Sequence, residues 1–155
     1  MPSSPKSMTD LARLAFERGI PHVRHLGIVM TSCGDGRALL RLPWRDELVG
    51  NPDTGVPHGG VITTLIDTGC GMAIFTLLSQ PVAIATIDLR IDHLKPAEPG
   101  RDIQSESVCI KLTRSIAFVR ANAYHDDPAN AVAHAVATFM IGSSDAPLMG
   151  RRKTP

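Results

Sequence analysis

Between His58 and Leu78 the chain carries no proline and no polar face of useful width. Val61, Ile62, Leu65, Ile66, Met72, Ile74, Phe75, Leu77 and Leu78 point in nearly every direction around a helix. A helix that is apolar on all sides is buried on all sides. At 1.5 Å per residue it would be roughly 30 Å long. The chain has 155 residues, about one domain. Burying so long a rod in one small domain requires a sheet that curls around it.

The rest of the chain supplies strands for that sheet. Thr9 or Asp10 is expected to cap a short helix over 11–18 that stops at Gly19 and Pro21. Residues 26–32 read as a strand, Gly34-Asp35-Gly36 as a hairpin turn, and 38–42 as the returning strand. From 43 to 57 the spacing of Pro and Gly predicts irregular chain. Over 86–92 apolar and polar residues alternate, with Ile87, Leu89 and Ile91 on one face and Thr86, Asp88, Arg90 and Asp92 on the other. Residues 103–112 form a long strand whose apolar phase slips between Ile103 and Val108, which predicts a bulge there. Strands over 116–125 and 131–141 follow, the last with Ala131, Ala133, Ala135 and Ala137 on one face, where small side chains let a helix approach. The expected fold is α+β, a long central helix wrapped by a curved antiparallel β-sheet of five to six strands. It occupies 9–142 as a single domain, with a disordered segment over 1–8 and a tail over 143–155.

Charge and cysteine content exclude several function classes. Sixteen Lys and Arg stand against fifteen Asp and Glu. Binders of nucleic acid or acidic membranes carry a basic excess, so neither partner is expected. One Trp and one Tyr give no stacking platform for bases. Cys33, Cys70 and Cys109 are odd in number and widely spaced, unlike a disulfide framework or a zinc site. No apolar run is long enough for a signal peptide or a membrane span. These features predict a cytoplasmic protein with reduced thiols and no metal.

The chemistry concentrates at the start of the long helix. His58-Gly59-Gly60 stands where the first backbone N–H groups lack internal partners. Those groups and the helix dipole favour negative charge, and glycine lets a carbonyl come close. This is what an oxyanion needs during acyl transfer. Asp67 is a carboxylate on an otherwise apolar helix, costly unless paired or functional. It is a candidate base or nucleophile, against the plainer reading of a salt bridge to an arginine. Gly59 and Asp67 lie eight residues apart, about 12 Å along one helix. One substrate carbon cannot touch both. If both act, they act from different chains whose helices run antiparallel about a two-fold axis, which predicts a homodimer with interfacial sites.

Asn51, Gly55, His58-Gly59-Gly60 and Leu65-Ile66-Asp67 resemble the motif of hotdog-fold acyl-CoA thioesterases. The likeness is to the phenylacetate-degradation (PaaI-like) group of the 4-hydroxybenzoyl-CoA thioesterase superfamily, and it covers about residues 25–142. Leu94-Lys95-Pro96-Ala97 matches the end of the family's equivalent strand. The resemblance implies a hotdog fold and hydrolysis of an aryl or medium-chain acyl-CoA to free acid and CoA. It implies no cofactor, CoA being part of the substrate, and a homotetramer of two dimers. Gly59 would donate its N–H to the thioester oxygen and Asn51 would polarise that carbonyl, with Asp53 the alternative occupant. His58 would support the loop. Asp67 of the partner subunit would be the catalytic carboxylate, and Thr86 would hold the water beside it. Arg90, Lys95, Arg114 and Ser115 are candidates for the CoA phosphates. Two other readings stay open: a hotdog dehydratase or hydratase, and a non-catalytic acyl-CoA binding or regulatory module.

Overall fold

The computed structural model describes residues 7–142. The tail expected over 143–155 and most of the segment over 1–8 lie outside them. Ser7 and Met8 do not: Ser7 caps helix α1 (Met8–Gly19) by accepting from the Asp10 N–H. The helix therefore starts earlier than Thr9 or Asp10 suggested. Ala12 and Phe16, one turn apart, are its buried side.

Pro21 does not simply stop that helix. It opens a second one, α2 (Pro21–Leu26), at the position where a missing N–H and a fixed φ cost nothing. Gly27, at φ 72°, ends it in the left-handed conformation. The first strand, expected from 26, thus begins only at β1 (Val29–Gly34). The remaining elements are β2 (Arg37–Leu42), the short strands β3 (Val49–Asn51) and β4 (Val56–Pro57), α3 (Gly59–Phe75), β5 (Ile84–His93), β6 (Ile103–Leu112), β7 (Ile116–Tyr124) and β8 (Ala133–Ile141). Six strands form one antiparallel sheet in the order β1-β2-β6-β7-β8-β5, and β3 and β4 form a separate hairpin.

The helix α3 lies against the concave face of this sheet. Leu65, Ile66 and Ile74 are fully buried there, each worth about 1.5–3 kcal/mol relative to exposure. Small residues bring helix and sheet together. A Cβ on Gly69 would sit 2.7 Å from Ser107 Oγ, and Ala121, Ala123, Ala133, Ala135 and Ala137 are all buried. The helix is not apolar throughout. From Gly69 to Phe75 every residue is buried, but the first half leaves Gly60, Thr63, Thr64, Asp67 and Thr68 exposed or half-buried on one stripe.

Two bulges differ from the expected strand phases. In β6 the irregularity falls between Cys109 and Lys111, not before Val108. The inward residues are Ile103, Ser105 and Ser107; both serines are fully buried, and Ser107 packs directly against Gly69 of α3. In β5 the register shifts between Thr86 and Asp88. The extra residue, Ile87, moves Thr86 onto the face shared by Leu89, Ile91 and His93, while Asp88, Arg90 and Asp92 face outward.

The loop from β5 to β6 is pinned by a buried histidine. His125 Nε2 accepts from the Glu98 N–H at 2.9 Å, so its Nδ1 is the donor to the Asp102 carbonyl at 2.8 Å. The Asp102 carboxylate accepts from the Trp44 N–H and from Arg41, contacts that hold its pKa below the ordinary carboxylate range.

Candidate active site

The helix start is built from both sides. The β3–β4 hairpin lies against it, and the His58 N–H donates to the Leu48 carbonyl at 2.8 Å. A Cβ on Gly50 would be 2.7 Å from His58 Cα, so only glycine allows this approach. His58 is the N-cap of α3: its Nδ1 accepts from the Gly60 N–H at 2.9 Å, and its carbonyl accepts from the Val61 N–H. Among the described residues nothing accepts from the Gly59 N–H. His58 thus occupies the neighbouring donor and leaves Gly59 the free one, beside a groove of about 440 Å³ lined by Gly59, Ile62, His93 and Lys95.

Asp67 sits two turns along α3. Its Oδ1 accepts from the Thr86 hydroxyl at 2.8 Å, the contact that the β5 bulge makes available. Asp67 and Thr86 are therefore together in one chain, and Gly59 is at the far end of the same rod. Asn51 is at the hairpin, exposed, with its Oδ1 taken by the Asp53 N–H at 3.0 Å. That bond closes a local turn and leaves the Nδ2 end free. Asp53 follows it, exposed, in the same turn.

The four CoA candidates are scattered. Lys95 lines the Gly59 groove and donates to Asn130 Oδ1. Arg90 is on the outer face of the sheet, paired with Asp92 at 3.2 Å and separated from Thr86 by the sheet itself. Arg114 and Ser115 form the β6–β7 turn, at the Thr86 end of the sheet. Among the described residues no group of three or more His, Cys, Asp or Glu side chains is arranged to hold a metal ion, and no helix is long and apolar enough to cross a membrane.

The family profile described as "Thioesterase superfamily" matches residues 54–132, the span from the turn before α3 to the start of β8. The chain belongs to the thioesterase superfamily. A putative esterase of Halobacterium salinarum is 43% identical over 97 residues, 61% of this chain and 64% of that protein, so the match spans less than two thirds of that relative. A medium/long-chain acyl-CoA thioesterase of Salmonella typhimurium, YigI, is 27% identical over 82% of this chain and 89% of its own. Among solved structures, a Pseudomonas aeruginosa protein superposes with TM-score 0.76 at 39% identity, covering 86% of this chain and 98% of that one. The phenylacetic acid degradation protein PaaI of Thermus thermophilus, at 22% identity over 78% of this chain and 98% of its own, shares the fold with TM-score 0.68. The fold is the hotdog of this superfamily, as the motif implied.

Two residues of this thioesterase-superfamily site escape a reading of the sequence. Gly50 looks like ordinary loop punctuation, and its need appears only when His58 is laid against it. His93 looks like the end of a strand; the alternation puts it on the face of Leu89 and Ile91, but only the packed structure shows that this strand end lies beside Gly59.

The thiols are spectators. Burial pushes the Cys70 pKa up to about 12, and it raises those of Cys33 and Cys109 as well. A thiol pushed that far up stays protonated at pH 8, where a free cysteine is partly ionised. Cys70 is expected to stay unlabelled by a thiol dye in the native protein and to react at least a hundredfold faster in denaturant, as stopped labelling and mass spectrometry would read. Fast native labelling of Cys70 would contradict its burial.

Proposed function

We propose that this protein is an acyl-CoA thioesterase that works as a two-fold dimer. The observation that carries the reading is the separation of two half-sites within one chain. Asp67 with Thr86 stands at the middle of α3, and the free Gly59 N–H stands at its start. The helical spacing of about 12 Å forbids one substrate carbon from using both in cis. A second helix running antiparallel along the exposed Thr63–Thr64–Asp67 stripe would bring each Asp67 to the other chain's Gly59.

The sheet supports the same axis. Strand β5 is at the sheet edge, with its outer backbone groups unpaired and Ile87 53% exposed. An unpaired edge is a template for another strand. Lys95 lies at the Gly59 end of the chain and Arg114 with Ser115 at the Asp67 end. The two-fold therefore gathers Lys95 of one chain and the other chain's turn toward one site, a reasonable place for CoA phosphates. Arg90, on the outer face, has no part in it.

In the reaction a water, held by Oδ2 of Asp67 and oriented by Thr86, gives its proton to the carboxylate as its oxygen attacks the thioester carbon. The Gly59 N–H stabilises the oxyanion, aided by the helix dipole. The C–S bond then breaks, and the departing thiolate takes the proton back from Asp67. The products are the free acid and CoA. Medium-chain acyl-CoA is favoured by the likeness to the Salmonella relative, and aryl acyl-CoA by the motif.

The test is release of free thiol across a panel of aryl and straight-chain acyl-CoAs. Turnover with an aryl or medium-chain substrate is expected. Tight binding without release would instead make the protein a binding module, and addition of water to an enoyl-CoA would make it a hydratase.

A further inference from the structure

His93 is the last residue of β5 and faces inward. A Cβ built on Gly59 would lie 3.5 Å from His93 Cε1 and 3.6 Å from Nε2. The imidazole edge thus stands directly against the glycine whose N–H is free. Both line the same groove, with Ile62 as apolar wall.

Among the described residues the His93 ring has no hydrogen-bond partner, although its backbone lies in the β5–β8 ladder. Four other rings are engaged: His58 caps α3, His125 bridges Glu98 and Asp102, His134 meets Asn122, and His22 meets Thr64; the His25 ring, like that of His93, is not, but it lies away from this groove. The ring edge and the Gly59 N–H stand on the same wall of one groove, so a group bound by the one is within reach of the other. The acceptor that Gly59 awaits is an acyl oxygen. Asn51, the side chain the motif assigns to that task, keeps its Nδ2 donor free because the hairpin turn engages only its oxygen, so His93 would act in addition to it.

We propose that His93 is a second hydrogen-bond donor to the thioester oxygen, acting through Nε2–H alongside the Gly59 N–H. This rests on the acyl-CoA hydrolysis reading above. Two donors converging on one oxygen stabilise the charge that develops there, and each such donor is commonly worth about 10²–10³ in rate. The strand gives the arrangement a simple logic. Thr86 and His93 are seven residues apart on one strand face, roughly 20 Å. They serve the Asp67 end and the Gly59 end respectively, so β5 furnishes one side chain to each half-site.

The experiment compares wild type, His93→Leu and His93→Gln on the best acyl-CoA of the panel, with kcat and KM measured separately. His93 is exposed, so both variants should fold, and unchanged thermal unfolding confirms it. His93→Leu should lose about 10²-fold in kcat, with KM moved less than threefold. His93→Gln, which keeps an N–H donor, should recover at least tenfold of that loss. A Leu variant with more than half the wild-type kcat overturns the proposal. So does an equal loss in Leu and Gln, which would mean shape and not donation, and so does an effect confined to KM. Each of these leaves hydrolysis itself standing, because the wild-type enzyme still turns over. A wild-type protein that releases no thiol from any acyl-CoA overturns both readings together.

Discussion

Replacing Asp67 with asparagine should lower kcat about a thousandfold, within the range that loss of a positioned base produces, while leaving the fold intact. The substitution keeps the size of the side chain and an oxygen for the Thr86 hydroxyl, which donates to Oδ1 at 2.8 Å. What it removes is the negative charge and the ability to take a proton from water. Thermal unfolding should move little, since Asp67 is only half-buried and among the described residues no ion pair depends on it. A companion measurement asks how the carboxylate acts. In a single turnover in ¹⁸O-water, label in the protein marks a nucleophile whose anhydride opens at the Asp67 carbon, whereas a base puts label only into the released acid. Full activity in the asparagine variant would remove Asp67 from the chemistry and, with it, the proposed reaction.

The second large effect concerns one backbone hydrogen. Gly59→Pro deletes the N–H that nothing in the described chain accepts. Proline is well tolerated at the first position of a helix. The preceding residue must then be extended, and His58 already is, at φ −65° and ψ 132°. Gly59→Ala is the matched control. Its Cβ meets His93 at 3.5 Å, an ordinary contact, and the N–H remains. The proline variant should lose 10²–10³ in kcat, as expected for an oxyanion donor, and the alanine variant no more than about tenfold. Equal losses in the two would show that the added carbon, and not the missing hydrogen, does the harm.

The same pair of substitutions reports on the dimer. Asp67→Asn chains keep Gly59, and Gly59→Pro chains keep Asp67. Refolded together in equal amounts, half of the dimers would be mixed, each with one complete site. About a quarter of wild-type activity should return if sites are shared across a two-fold axis. No recovery would mean that both groups act within one chain, or not at all.

The long helix and the order of the six main strands were legible from residue types alone, whereas α2 and the β3–β4 hairpin, in a stretch expected to be irregular, were not. His58-Gly59-Gly60 and Asp67 are close in sequence, and helical geometry turns eight residues into a distance without any knowledge of the rest. Local signals also misled. Pro21 reads as a stop and is a start, because the same ring that ends one helix suits the first turn of the next. The strand phases of β5 and β6 went astray because a bulge leaves almost no trace in composition. It is decided by which partner strand has room, and that depends on residues far away.

What the sequence determined by itself was therefore the helix, the strands and the residues with reactive groups, since periodicity and backbone chemistry are local. Tertiary structure alone decided which of those groups meet. Thr86 reaches Asp67 only because Ile87 is squeezed out of register against β8. His93 reaches Gly59 because the end of β5 is packed beside the start of α3. Gly50 matters only because a hairpin is pressed onto the helix start. Such contacts join positions tens of residues apart, and they are settled by volume and register across the whole packed domain, which no short window of sequence contains.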